Sequence, residues 1–174
     1  YIIKPNNVVT PLTGGVPGIT TWDKLMAEVR KIDSVTKREF YQGWYRNLYD
    51  PGTPPSERMI NKPTVYGGIA VFPAYTPTSD TCGFGGTSRL YALYYETGTA
   101  YKKPVLIGLD NTVAIQYSLD LGYGLSSSFG VHAAREKGAG ATLYSQMSTG
   151  LINEIDILPA FSTKSGVENW KEGR

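Results

Sequence analysis

Apolar residues recur at helical spacing in one stretch near the start of the chain. The members of this stripe are Trp22, Leu25, Met26, Val29 and Ile32, at positions i, i+3, i+4, i+7 and i+10. Side chains at this spacing share one face of a helix, so the stripe can lie on a sheet. Thr20 or Thr21 supplies an N-cap oxygen just before it. The pattern predicts a single N-terminal amphipathic helix of about three turns.

Outside this stretch, short apolar runs alternate with turn-forming residues. Residues 1–12 form an extended segment, which the glycines and proline of 14–18 break. Residues 40–49 are rich in aromatic side chains and fit either a strand or a packed loop. From Met59 onward the pattern is one of strands and turns, and 151–157 alternates apolar and polar residues as a half-buried strand does. These patterns predict a mainly β protein.

Two stretches, 90–98 and 143–150, have nearly the same pattern. Each is a strand pattern that ends in Thr-Gly, and each follows an earlier apolar strand, at 63–72 or at 128–133. In the second unit, 136–140 has the composition of a hairpin turn. A repeated multi-strand unit of about blade length is typical of a β-propeller or a stacked β array. We therefore predict a partial β-propeller-like repeat of about two blades.

These elements divide the chain into two parts. Residues 1–55 hold the extended segment, the helix and the aromatic strand. Residues 56–174 hold two blade-like units, at about 56–110 and 117–160, followed by a C-terminal tail. We expect one continuous domain, because a chain of 174 residues buries a single core.

Composition and charge indicate the fold class and argue against two kinds of partner, nucleic acid and the membrane interior. Twenty Gly, 11 Pro and 13 Tyr fit short strands joined by tight turns. The net charge is +2, and Lys and Arg are scattered without forming a stripe, so we expect no nucleic acid as a partner. No apolar run approaches the roughly 20 residues that cross a bilayer, so we expect no membrane span.

The segment 76–87 has the composition of a loop and is long for a connection between two strands. Long loops on rigid β scaffolds often carry binding sites. The candidate interaction residues in and beside it are Thr78, Asp80, Cys82, Phe84 and Arg89. Cys82 is the only cysteine, so it is a buried thiol, half of a bridge to a missing part of the chain, or an exposed reactive group.

The chain carries no strong catalytic or metal-binding pattern. Residues 34–37 match the Ser-x-x-Lys motif of penicillin-recognising enzymes. They lie, however, in the polar stretch that follows the predicted helix, and the chain has no Ser-Asp-Asn motif. His132 is the only histidine and lies between apolar neighbours in a predicted strand, which favours a structural role. Glu154 and Asp156 are expected on the solvent-exposed face of an edge strand. We predict no enzyme activity, no metal site and no cofactor.

Several blocks of the chain, taken in order, resemble one known family. The blocks are 62–72, 78–88, 90–101, 122–128, 141–150 and 164–170. Together they are similar, over about 43–170, to the C-terminal region of the PilC/PilY family of type IV pilus tip-associated adhesins and assembly factors.

The resemblance implies a secreted protein on a bacterial surface or pilus. It implies a non-catalytic, modified β-propeller that primes pilus assembly and takes part in surface attachment. The implied partners are pilus subunits or minor pilins, or the remaining part of the same precursor. The family's calcium loop and adhesive module have no counterpart in these residues, so calcium control and adhesion cannot be assigned to any position here.

Two other functions fit the same pattern. One is a structural, filament-forming or pilus-associated β module that self-associates through its sheet edges. The other is a quinoprotein-type propeller enzyme, which needs adjacent cysteines that this chain lacks.

The chain begins with Tyr rather than Met, which suggests a processed product or a segment of something longer. Two blade-like units cannot close a ring that usually needs about four to eight blades. We therefore expect the outer strands to be covered by further blades, by a pilus subunit or by a second copy of the chain.

Overall fold

A computed structural model describes residues 1–11, 15–32, 35–37, 39–41, 43–48, 56–78, 85–107, 113–133 and 140–161. Within these residues the protein is mainly β, with one helix, α1 (Trp22–Val29). The strands are β1 (Ile2–Ile3), β2 (Val9–Thr10), β3 (Arg30–Ile32), β4 (Glu39–Tyr41), β5 (Arg58–Met59), β6 (Thr64–Tyr66), β7 (Ile69–Pro77), β8 (Gly86–Tyr94), β9 (Ser118–Tyr123), β10 (Gly130–Ala133), β11 (Ala141–Gln146) and β12 (Ile152–Ile157).

Helix α1 begins where the sequence predicts. Thr21 has extended backbone, and its side chain accepts a hydrogen bond from the backbone N–H three residues later at 3.3 Å, as an N-cap does. Trp22 and Leu25 are buried, and Met26 and Val29 pack against the same core. The apolar stripe therefore docks the helix on the rest of the protein.

The C-terminal end of the helix differs from the prediction. The backbone leaves the helical region at Arg30, with φ −95° and ψ 81°. Residues Arg30–Ile32 instead form β3, which pairs antiparallel with β4. Ile32 is consequently 62% exposed and does not belong to the buried stripe. The prediction of three helical turns is wrong here, because strand pairing removes the last positions from the helix.

The predicted extended segment at the start of the chain is a hairpin. β1 and β2 pair antiparallel, with Ile3 opposite Val9. Asn6 and Asn7 reverse the chain with φ of 62° and 67°, a left-handed conformation that asparagine tolerates better than most residues. Because Ile3 and Val9 are both buried, this hairpin contributes to the core.

The larger sheet has the order β5–β7–β8–β9, and β6 also pairs with β7. β7 and β8 pair along their whole length, from Ile69 opposite Tyr94 to Pro77 opposite Gly86. Both strands are buried over most of this length. The β7–β8 hairpin is therefore the centre of the protein, with elements covering both of its faces.

The smaller sheet has the order β10–β11–β12. Residues of β12 alternate between exposed and buried from Ile152 to Ile157, which confirms the predicted alternating strand. Glu154 and Asp156 are on its exposed face, as predicted. β10 and β11 form an antiparallel pair around the predicted turn at 136–140, of which only Gly140 lies among the described residues.

Each copy of the repeated sequence pattern ends in a tight turn that contains a glycine with positive φ. In the first copy Gly98 has φ 64°, and its N–H donates to the carbonyl of Tyr94 at 2.9 Å. In the second copy Gly150 has φ 90°, and its N–H donates to the carbonyl of Met147 at 2.9 Å. Glycine adopts this left-handed conformation at little cost, which explains why both turns end in Gly.

The two copies continue differently. The second turn leads into β12 of the same sheet, whereas the chain after the first turn reaches the other sheet. There Leu106 pairs with Ile157, and the N–H of Ile107 donates to the carbonyl of Asp156 at 3.0 Å. The first unit thus extends the sheet of the second. Within the described residues, each sheet has two ends and none closes into a ring.

One core runs through both sheets and the N-terminal part. Its buried members include Ile3, Val9, Trp22, Leu25, Ile69, Val71, Leu90, Ala92, Tyr94, Leu106, Leu143, Met147, Ile155 and Ile157. A smaller cluster lies on the opposite face of β7 and β8. It consists of Phe72, Ala74, Tyr91 and Leu93, with Leu48 packed against it. The two repeat units therefore share a core instead of having one each.

Candidate functional site

The predicted interaction loop is the closed end of the β7–β8 hairpin. The N–H of Thr78 donates to the carbonyl of Gly85 at 2.8 Å, one step beyond the last ladder pair. Thr78 therefore marks the base of this loop. Asp80, Cys82 and Phe84 lie outside the described residues.

Arg89 lies inside β8, away from that loop, and belongs to a small polar cleft. It is opposite Asp120 of β9, and the cleft also contains Glu57. The hydroxyl of Tyr91 donates to Glu57 Oε2 at 2.7 Å. Burial, together with this hydrogen bond and the charge of Glu57, raises the pKa of Tyr91 to about 12. The structure thus groups Arg89 with Tyr91 and two carboxylates and not with Thr78.

A more extended surface is formed by residues 118–133, which we call the open edge. β9 is at one end of the larger sheet, and β10 is at one end of the smaller sheet. The backbone between β9 and β10 is also hydrogen-bonded to the rest of the protein. The N–H of Gly124 donates to the carbonyl of Gly86 at 2.7 Å, and Ser126 forms an isolated β-bridge with Met147. This chain segment therefore runs along both sheets in succession, and no described strand pairs with its outer side.

Buried side chains hold the open edge in place where it crosses between the sheets. Ser88, 1% exposed, donates its hydroxyl to the carbonyl of Gly124 at 2.7 Å and accepts from the N–H of Ser126 at 3.1 Å. Asn61 Nδ2 donates to the carbonyl of Ser126 at 2.8 Å. Gly122 and Gly124 have φ of 87° and 110°, which lets the backbone turn at this point. The edge is therefore positioned before any partner binds.

The open edge carries few of the residues that ordinarily protect edge strands. Residues 118–133 contain no Pro, Lys or Arg, and Asp120 is their only carboxylate. Its Oδ1 accepts the N–H of Gly122 at 2.8 Å, and one β-bulge interrupts the pairing between Ser88 and Arg89 on the neighbouring strand. Natural edge strands are commonly blunted by Lys, Pro or bulges. The outward-facing backbone groups of β9 and β10 can therefore receive an extended partner. Between these strands, the N–H groups of Gly124, Ser126 and Ser127 are already bonded within the protein.

Glu96 links the end of the helix to the first Thr-Gly turn. Its side chain is 2% exposed, and it accepts from Arg30 Nε and Nη2, both at 2.5 Å. The hydroxyl of Tyr94 donates to it at 2.9 Å. The hydrogen bonds from Arg30 hold the pKa of Glu96 below its ordinary value, while burial and then Glu96 raise the pKa of Tyr94. This carboxylate is therefore ionised at neutral pH and anchors the N-terminal part.

His132 lies in β10, as predicted, and its side chain is exposed. It is opposite Thr142, whose hydroxyl donates to Asp156 Oδ1 at 2.9 Å, and the three residues line a cavity of about 330 Å³. The hydroxyl of Thr142 donates to the carboxylate of Asp156 and not to the imidazole of His132. Thr142 and His132 therefore do not form a pair of nucleophile and general base. Among the residues that the structure describes, no group of three or more His, Cys, Asp or Glu side chains can hold a metal ion.

No protein-family model, no curated protein and no solved structure matches this chain. In the described part of the chain, no helix is long and apolar enough to cross a membrane. Function is therefore inferred from the residues and their geometry.

The sequence did not reveal the open edge. Composition identifies the segment 76–87 as a loop. Which strand lies at the end of a sheet depends instead on contacts between residues that are distant in the chain. A signal was present, since 118–133 has strand-forming stretches without Pro, Lys or Arg. That signal becomes informative only when the strand is known to lie at the end of a sheet.

Proposed function

We propose that the chain is the C-terminal β-propeller portion of a type IV pilus assembly and tip-associated adhesin. In this role it is a non-catalytic scaffold for pilus biogenesis and surface attachment, outside the cell on the bacterial surface or pilus. Its partners are pilus subunits or minor pilins, or further blades of the same precursor.

The location of the family-like blocks supports this proposal. Block 62–72 forms β6 and the first part of β7, and block 90–101 contains the end of β8 and the first Thr-Gly turn. Block 141–150 forms β11 and the second Thr-Gly turn. These three blocks fall on residues that build the sheets and turns, as expected of a shared scaffold.

The observation that carries the proposal is the open edge. It offers two strands, β9 and β10, whose outer sides pair with no described strand, and Ser88 and Asn61 hold the segment between them in place. Strand addition to such an edge gives affinity through backbone hydrogen bonds, and side-chain pockets add specificity. A surface of this kind suits an assembly factor that binds pilus subunits by strand addition.

Hydrogen–deuterium exchange with purified minor pilins tests the proposal. Added pilins are expected to slow exchange of the outward-facing amides of β9 and β10, because strand addition gives these N–H groups acceptors. The amides of the central strand β11 serve as the internal control and are expected to exchange as before. Pilin binding that leaves 118–133 unchanged would contradict docking at this edge.

Matched lysine variants sharpen the test. Gly130→Lys with His132→Lys places two charges on β10, and a β-carbon at Gly130 meets only one atom within 4 Å, at 3.9 Å. Tyr144→Lys with Gln146→Lys places the same charge on exposed positions of β11. Edge lysines disfavour strand addition. The first pair is expected to weaken pilin binding by at least about tenfold, or 1.4 kcal/mol, and the second to leave it nearly unchanged.

The same edge also permits pairing with a second copy, as in a filament module. Analytical ultracentrifugation separates the two functions. A filament module is expected to form oligomers that grow with concentration and that the β10 lysine pair dissolves. A pilus-tip scaffold is expected to remain in one copy until a pilin is added.

A further inference from the structure

A groove beside the first Thr-Gly turn has the composition of a ligand site. It encloses about 700 Å³ between residues 43–47 and the first Thr-Gly turn, within the range of small-ligand clefts. Trp44 and Tyr45 line it side by side. Trp44 is 38% exposed and Tyr45 is 87% exposed.

The indole ring of Trp44 is fixed before any ligand arrives. Its Nε1 donates to the carbonyl of Tyr95 at 2.7 Å. One region of the ring lies so close to Gly98 that a β-carbon there would collide with it. Because the only donor of the side chain is used, the ring offers a ligand its π surface.

Tyr45 lines the same groove and is 87% exposed to solvent. Such exposure costs hydration free energy without contributing to the core. The π surface of an aromatic ring is electron-rich and attracts the polarised C–H groups on the flat side of a sugar. Two exposed rings along one groove, one of them held in place by the protein, can stack sugar rings with little ordering cost.

The remaining lining provides polar contacts and one positive charge. Asn47 is exposed at the groove and can contact a ligand. Thr97 and Thr99 also line it, but both are buried, and their hydroxyls are hydrogen-bonded to each other at 2.8 Å. Arg46 also lines it, with its guanidinium held 4.2 Å from the ring centre of Tyr117. None of the described residues that line the groove is Asp, Glu or Lys. A ligand with hydroxyl groups and a carboxylate is therefore complementary to it.

We propose that this groove binds an oligosaccharide that contains an acidic sugar. Its rings stack on Trp44 and Tyr45, and its carboxylate faces Arg46. The proposal depends on the groove alone and not on a place in a pilus. It assigns the molecule a ligand site separate from the open edge.

Titration with two hexasaccharides tests this site, followed by tryptophan fluorescence and calorimetry. A hyaluronan hexasaccharide alternates N-acetylglucosamine with glucuronate, and chitohexaose is its uncharged counterpart. Saturable binding of the hyaluronan fragment is expected, tighter than that of chitohexaose and weaker at high salt. Equal affinity for both would overturn the role of Arg46, and no saturable binding of either would overturn the site.

Tyr45→Ala provides the decisive variant, because a side chain that is 87% exposed contributes little to the fold. Affinity is expected to fall by at least about tenfold, with the melting temperature unchanged. Tyr144→Ala removes a partly exposed tyrosine from β11 and is expected to bind as the unmodified protein does. Binding that survives Tyr45→Ala unchanged would overturn the proposed stacking.

Discussion

Leu25 is one of the two buried residues of helix α1. Its side chain is 2% exposed within the main core. Leu25→Ala is therefore expected to lower the free energy of unfolding by about 2–4 kcal/mol. Urea denaturation measures this, with the exposed Lys24→Ala on the same helix as a control expected to change it by less than about 0.5 kcal/mol. A Leu25 effect as small as that of the control would mean that the helix is not docked.

The pair of Arg30 and Glu96 predicts a dependence of stability on pH. Arg30 lowers the pKa of Glu96 in the folded protein. The resulting stabilisation is complete above the unfolded pKa, about 4.3, and is lost as the pH falls through the lower folded value. Glu96→Gln is expected to cost about 1–3 kcal/mol at pH 7, since Arg30 is left 43% exposed and can be hydrated.

This cost is expected to shrink in acid, where the wild-type carboxylate also becomes protonated. Urea denaturation at pH 7 and at acid pH, with wild type and Glu96→Gln side by side, measures it. Glu154→Gln, on the exposed face of β12, is the control for removing a carboxylate and should change stability by less than about 0.5 kcal/mol. A Glu96→Gln cost that stays constant as the pH falls would show that the ion pair does not carry the effect.

At the scale of elements, the sequence correctly predicts features that depend only on residues close together in the chain. The N-cap at Thr21 and the alternation of β12 are local patterns, and both are confirmed. The helix end at Val29 was missed, because it depends on pairing between β3 and β4 across a connection. The groove was missed for the same reason, since Trp44 contacts Tyr95 and Gly98 from a distant part of the chain.

The two Thr-Gly turns allow a matched experiment on packing. Gly98 and Gly150 both have positive φ, so alanine at either one is expected to cost about 1–2 kcal/mol in backbone strain. A β-carbon at Gly150 meets nothing within 4 Å, whereas one at Gly98 collides with Trp44. Gly98→Ala is therefore expected to lower the melting temperature further than Gly150→Ala does.

A double-mutant cycle identifies the cause of that difference. In a Trp44→Ala background the extra cost of Gly98→Ala is expected to disappear, because the colliding ring is gone. Thermal unfolding of the four proteins measures the coupling. Equal costs for the two glycines in the unmodified background would contradict the close packing of Trp44 on the first turn.

At the scale of the whole molecule, the shared core decides how the protein unfolds. The repeat in the sequence suggests two similar units, yet Leu90 of the larger sheet and Leu143 of the smaller sheet are both fully buried in one cluster. The last part of the first unit also pairs with β12 of the second, through Leu106 and Ile157. Neither unit can therefore lose its packing without exposing the other.

We accordingly expect one cooperative unfolding transition. Leu90→Ala and Leu143→Ala are each expected to cost about 2–5 kcal/mol, and each should lower the midpoint equally for probes in both sheets. Fluorescence of Trp22, which packs against Tyr94 at 5.6 Å between ring centres, reports the side of the larger sheet. Amide exchange of β11 reports the smaller one. If Leu143→Ala lowered only the β11 midpoint, the repeats would be separate folding units, and a propeller of independent blades would describe the chain better than a single shared core.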